Sequence, residues 1–314
     1  MPDMPDSPFR CVLDLRAKLG ESPVWSVGEQ ALWFVDIHGP AIHRHDPATG
    51  AHDVFPMHAS VACLGLRVAG GLVVALRDGL WLADANGRLE RKVAEAPYDP
   101  AWHRFNDGRV DPQGRFWVGS MNERRDAASA ALYRLDADHS LHRVVDGITV
   151  SNGLAWSPDG RTMYHADTPA LTVRAFDFDA STGTPSRMRT FVRWERETDR
   201  PDGAAVDSAG HYWVAHFRGG RVVEIDASGR TVREIPFPAM CPTMCAFGGP
   251  DLRTLYVTSA RHERPDDELA RFLSEVNGEL ASSAPSAEPA SAPSAEIADA
   301  PTAEQADAPT EMSS

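Results

Sequence analysis

A strand–turn–strand unit recurs along this chain about every 41–50 residues, and a repeat of that length restricts the fold to like units set side by side. Four stretches carry it clearly: ESPVWSVGEQALWFVD from Glu21, NDGRVDPQGRFWVGS from Asn106, NGLAWSPDGRTMYHAD from Asn152 and DGAAVDSAGHYWVAH from Asp202. Each opens on a polar residue and continues as a short apolar strand, a turn and an aromatic strand. A turn glycine follows the leading residue at Gly114, Gly160 and Gly210, and Glu29 takes that place in the first stretch. Two weaker copies, SVACLGLRVAGGLVVAL and TMCAFGGPDLRTLYVTS, bring the count to six, with leading positions near residues 21, 62, 106, 152, 202 and 244.

The units are β-structure. Runs such as ALWFVDI, RFWVGSM, HYWVAHF and TLYVTSA are short, rich in β-branched and aromatic residues, and bounded by Gly, Asp and Pro. Helical periodicity is confined to PDDELARFL at 265–273, where a short helix is expected. One four-stranded blade needs about the length of one repeat, so the expected fold is all-β, a six-bladed β-propeller over residues 10–280. Trp25, Trp33, Trp117, Trp156 and Trp213 are then blade core. Residues 281–314 are almost entirely Ala, Ser, Pro and Glu. Such a tail buries too little apolar surface to offset its chain entropy, and disorder is expected there.

The net charge of −14 argues against nucleic acid and anionic membrane as main partners. No apolar run reaches the roughly 18 residues of a membrane span, and MPDMPDSPFR has no apolar signal core, so a cytoplasmic location is expected. Cys11, Cys63, Cys241 and Cys245 read as reduced thiols; Cys241 and Cys245 have no second Cys/His pair to complete a zinc site. There is no HExxH pair, GxSxG elbow, Walker motif or dinucleotide fingerprint. His43 and His45 alternate on one strand face, expected at the surface.

In a propeller the first strand of each blade lines the central channel, so the six leading residues face one mouth. Four of them carry oxygen donors: Glu21, Asn106, Asn152 and Asp202. Ala62 or Cys63 and Met244 hold the other two places. Each Asx-Gly step alone reads as a turn, but a common register across four repeats favours convergence. Two carboxylates and two amides suit calcium, magnesium or manganese, and zinc also accepts carboxylates.

The stretches LGESPVW (19–25), RFNDGRVDPQGRFWVGSM (104–121), SNGLAWSPDG (151–160), RPDGAAVD (200–207) and FGGPDLRTLYVTSAR (247–261) resemble the senescence-marker-protein/gluconolactonase/luciferin-regenerating family. The resemblance implies a six-bladed propeller with one divalent metal ion held by Glu21, Asn152 and Asp202. It makes Arg104 and Asn106 substrate contacts and Asp202 the general base as well as a ligand. The acidic pair that members carry after the Met of the third blade is here Glu123 followed by Arg124 and Arg125, which leaves Glu123 as a substrate contact. The Gly-Gly aromatic strand that commonly ends the family is replaced by SEVNGELA at 274–281. The implied activity is hydrolysis of a small-molecule sugar lactone, such as gluconolactone, xylonolactone or arabinolactone, to the aldonic acid. The rivals are a non-enzymatic calcium-binding propeller and a metal-dependent propeller esterase or phosphotriesterase.

Overall fold

The computed structural model describes residues 7–261 and residue 264. The first blade comprises β1 (Gly20–Ser26), β2 (Ala31–Asp36), β3 (Ala41–His45) and β4 (His52–Pro56); the second β5 (Val61–Leu66), β6 (Leu72–Leu76), β7 (Gly79–Ala83) and β8 (Leu89–Glu95). The third holds β9 (His103–Val110), β10 (Phe116–Asn122), β11 (Ala130–Leu135) and β12 (Leu141–Ile148). The fourth holds β13 (Ser151–Trp156), β14 (Thr162–Asp167), β15 (Thr172–Asp179) and β16 (Thr184–Arg193). The fifth holds β17 (Arg200–Val206), β18 (Tyr212–Phe217), β19 (Arg221–Ile225) and β20 (Thr231–Pro236), and β21 (Pro242–Gly248) pairs with β22 (Thr254–Ser259). All neighbours are antiparallel and in chain order.

The fold is therefore an all-β propeller, with one correction. Among the described residues five blades have four strands, and the sixth place holds the two-stranded sheet β21–β22. The sequence gives the reason: after TLYVTSA it becomes charged and supplies no further β-branched or aromatic run. The segment before β1 packs onto that short sheet instead. Side chains of β22 alternate between its faces. Phe9 joins Phe247, Leu255 and Val257 on one face, and Leu13 and Leu15 meet Tyr256 and Trp25 on the other. Full burial of side chains of this size is worth about 1.5–3 kcal/mol each, and these partly buried ones contribute a fraction of that. The seam is fastened by a Leu19–Ala260 bridge and by the Thr243 hydroxyl, which donates to Gly20 O at 2.6 Å. The readings at 265–273, 274–281 and 281–314 lie outside the described residues. Among the described residues, no helix is long and apolar enough to cross a membrane.

The repeat turns do structural work. In VDPQGRFW, Asp111 Oδ1 accepts the N–H groups of Gln113 and Arg115, while its Oδ2 accepts the Trp117 indole N–H at 2.9 Å. Asp207 repeats the arrangement with His211 N and the Trp213 indole, also at 2.9 Å. These two tryptophans thus enter the core with their one donor satisfied, whereas the indole N–H groups of Trp25 and Trp156 have no hydrogen-bond partner. All five expected core tryptophans are buried. The four thiols are free, with only Cys11 exposed.

His43 and His45 depart from expectation: both are buried. The third strand of a blade is still covered on both faces, and His43 stacks on Phe34 and bonds His52 Nε2 at 3.0 Å. His216 is fully buried, edge-on to Trp194. Burial first, then repulsion from Arg221, pushes its pKa down to about 3. Its unfolded counterpart titrates near 6.5 and so binds the extra proton below that pH. The neutral ring's contribution is thus complete above about pH 6.5 and is lost as pH falls towards 3. Between pH 6 and 4 the unfolding free energy of the parent should fall more steeply than that of His216→Gln, by about 1.4 kcal/mol per pH unit. Parallel slopes in denaturant titrations would show that His216 is not held neutral by the fold.

Candidate metal centre

One backbone device recurs at the channel mouth. In every repeat, pairing between the first two strands slips near the leading residue: between Glu21 and Val24, Val61 and Cys63, Asn152 and Ala155, Pro201 and Ala204, Pro242 and Cys245, and across β10 between Val118 and Ser120. Such bulges re-aim side chains that a regular strand would alternate between faces. The sequence meets the local cost. Gly153 takes φ +60° in the fourth blade, where a side chain would also strike the Tyr212 hydroxyl, and Ser22 takes φ +50° in the first. Gly203 allows Met244 to approach closer than a Cβ permits.

The bulges bring together the residues singled out by the sequence. Asn106 Nδ2 donates to Asn152 Oδ1 at 2.8 Å and to Ser151 O at 2.9 Å, joining the third and fourth blades. Asn152 Nδ2 donates to the Thr168 hydroxyl, which donates in turn to Pro201 O beside Asp202, both at 2.7 Å. Arg104 is buried and donates through Nη1 to Asn106 Oδ1 at 2.7 Å. Glu21 and Asp202 are each 7% exposed, so their carboxyl groups are nearly removed from water. Glu123 sits further out, held bidentately by Arg77 at 2.7 and 2.9 Å, with Arg104 Nε at 3.6 Å from the same carboxylate.

Sequence reasoning missed two members. Asp107 lies beside Asn106 inside the same bulge and is 4% exposed. Its Oδ2 accepts Leu154 N–H, whereas its Oδ1 has no hydrogen-bond partner. The signal was the acidic residue in NDG, which a one-residue-per-repeat register passes over. Thr168, in the short 3-10 turn Thr168–Ala170, carries no motif of its own.

The electrostatics follow from this crowding. Burial, then repulsion from Asp107, raises the Glu21 pKa; burial, then Glu21 and Asp107, raises that of Asp202 well above the carboxylate range. Burial pushes Asp107 up to about 6, against the pull of Arg109. Three carboxyl groups thus share a buried mouth where Arg104 opposes the shifts of Glu21 and Asp202. A divalent cation is the partner such a group of oxygens fits, since opposite charge favours the ionised forms. Carboxylates and amides from separate blades form a hard oxygen donor set, and the unpartnered Asp107 oxygen agrees with that reading.

Asp207, His211 and Glu224 form a second group with ligand atoms within 4.8 Å of one another, at the other end of β17. Its atoms are already engaged. His211 Nδ1 lies 2.6 Å from Glu224 Oε1, Arg233 Nε donates to Glu224, and Asp207 accepts the Trp213 indole. It acts as a brace of the fifth blade.

The model of the SMP-30/gluconolactonase/LRE-like region matches residues 19–261. A 6-deoxy-6-sulfogluconolactonase of Pseudomonas putida is 47% identical over 264 residues, covering 83% of this chain and 90% of the relative. Regucalcin of Danio rerio is 42% identical over 264 residues, covering 83% and 89%. Among solved structures, a calcium-binding regucalcin from Agrobacterium tumefaciens superposes with a TM-score of 0.80 at 29% identity, covering 84% of this chain and 90% of that one.

Proposed function

Because the chain belongs to the SMP-30/gluconolactonase/LRE-like family, we propose that it hydrolyses a sugar lactone to the aldonic acid at a single divalent metal ion. The observation that supports this reading is a buried polar group drawn from separate blades: Glu21 repels the buried Asp202 carboxylate, and hydrogen bonds run from Arg104 through Asn106 to Asn152. The name of the Pseudomonas putida relative supports a six-carbon aldonolactone as substrate class.

Glu21, Asn152 and Asp202 would hold the cation, whether calcium, zinc, manganese or magnesium. When bound, the cation supplies Lewis acidity towards the lactone carbonyl oxygen. The chain's own residues do the remainder. Asp202 accepts a proton from water as the water oxygen adds to the carbonyl carbon. The ring C–O bond then breaks, and that proton passes to the departing ring oxygen, giving a hydroxyl and a carboxylic acid, which releases its own proton to solvent as the aldonate. Arg104, always cationic and fixed on Asn106, donates to the substrate's oxygens and fixes the ring's orientation. Glu123, ionised under the influence of Arg77, accepts from sugar hydroxyls.

The similarity to the calcium-binding regucalcin from Agrobacterium tumefaciens favours one alternative, a propeller that binds the ion without turnover. Acid release from glucono-1,5-lactone, measured above the spontaneous rate with calcium, zinc, manganese or magnesium added singly, separates the two. Catalysed release with at least one of them is expected. Metal binding with no catalysed release under any of these ions, from this lactone or from its 6-substituted forms, would overturn the lactonase reading and leave the binding one.

A further inference from the structure

The rim of the mouth has a charge pattern that a neutral polyol does not call for. It is built on Asn122, at the end of β10, which is 4% exposed. Asn122 Nδ2 donates to Asp126 Oδ1 at 2.8 Å and to Ala127 O and Ser129 Oγ at 3.2 Å, while its Oδ1 accepts Arg124 N–H at 3.0 Å. Arg125 N–H closes the turn on Asn122 O at 3.0 Å. This net holds Arg125 at φ +57°, the left-handed region that costs any non-glycine residue. A rigid turn therefore presents an exposed arginine in an unfavoured conformation.

The neighbours leave that charge unspent. Glu123 is claimed by both Arg77 and Arg104. Arg124 lies over the Trp102 ring, 3.2 Å from its centroid, and Glu123 N–H donates to Trp102 O at 3.0 Å, tying the turn to the loop before β9. Arg104 Nε is buried without a hydrogen-bond partner. Among the described residues neither Arg124 nor Arg125 makes an ion pair, and the charge of Arg125 reaches Asp202. An ordinary solvated arginine needs no such scaffold. A guanidinium carried on a held turn beside a binding mouth matches the oxygens of a sulfonate or phosphate.

We infer that the lactone turned over at this mouth carries an anionic group on its exocyclic carbon, a sulfonate or a phosphate, received by Arg125 on the turn that Asn122 organises. The inference rests on the lactonase reading. It is tested with the metal-loaded full chain on three probes: glucono-1,5-lactone, its 6-deoxy-6-sulfo analogue and its 6-phosphate. The parent should favour one or both anionic lactones over the neutral one by about tenfold or more in kcat/KM, the scale of a hydrogen bond to a charged group. Added salt should erode that preference. Arg125→Gln should reduce the anionic-to-neutral ratio by about tenfold, mainly through KM. Preference for the sulfonate or for the phosphate identifies the source of the charge. Equal kcat/KM for all three lactones, or a ratio that Arg125→Gln leaves unchanged, overturns the inference and spares the lactonase reading. Hydrolysis of none of the three overturns both.

Discussion

Asp202→Asn should lower kcat for lactone hydrolysis by about 10²–10⁴-fold, the range associated with loss of a general base. The substitution keeps the side chain's size and one oxygen donor but removes the site that accepts the proton. The fold should not suffer. Asp202 is buried beside Glu21 and Asp107, and both of them raise its pKa. Replacing it with a neutral amide relieves that repulsion, so the Tm of the metal-free variant should equal or exceed the parent's. Metal affinity should weaken, which makes saturating metal and a direct metal titration part of the measurement. A variant that holds metal and still works at close to the parent rate would show that Asp202 is not the base. The proton would then pass to Glu21 or to bulk water.

How far the sequence could be read is clearest from these same residues. Glu21, Asn106, Asn152 and Asp202 were legible because a repeat carries its register with it, so equivalent positions must converge when the units close into a ring. Asp107 was not, because the bulge in β9 sets Asn106 and Asp107 both against Gly119, and two residues share a place that the repeat assigns to one. Arg77 escaped for a different reason. It meets Glu123 across two blades at a sequence separation of 46, and only the ring geometry selects that pair. His43 was misplaced because alternation of polar residues marks a solvent face in an outer strand, whereas the third strand of this blade is covered on both sides. The two-stranded sixth place departs from the six blades expected over residues 10–280, and its cover by Phe9, Leu13 and Leu15 could not be anticipated, since those residues carry no strand pattern of their own.

Chelation should abolish lactone hydrolysis and leave the propeller folded. Glu21, Asn152 and Asp202 come from β1, β13 and β17, so the ion would clamp three blades at the mouth. The blades themselves are held elsewhere, by clusters such as Trp33, Val35, Ile42 and Leu64 in one region and Trp117, Leu132, Trp156 and Phe178 in another. None of those contacts requires the ion. Far-UV circular dichroism should therefore stay β-like in a chelator-treated sample. The Tm should fall, because a ligand that binds only the folded state at 100 times its Kd contributes about 2.7 kcal/mol. Without the cation, burial and mutual repulsion favour protonated Glu21 and Asp202, which removes the basic carboxylate that the reaction needs. Restoring calcium, zinc, manganese or magnesium singly should recover activity to different extents and rank the ions. Undiminished hydrolysis in a sample shown by elemental analysis to be metal-free would overturn the metal-dependent mechanism, and the three carboxyl groups would need another explanation.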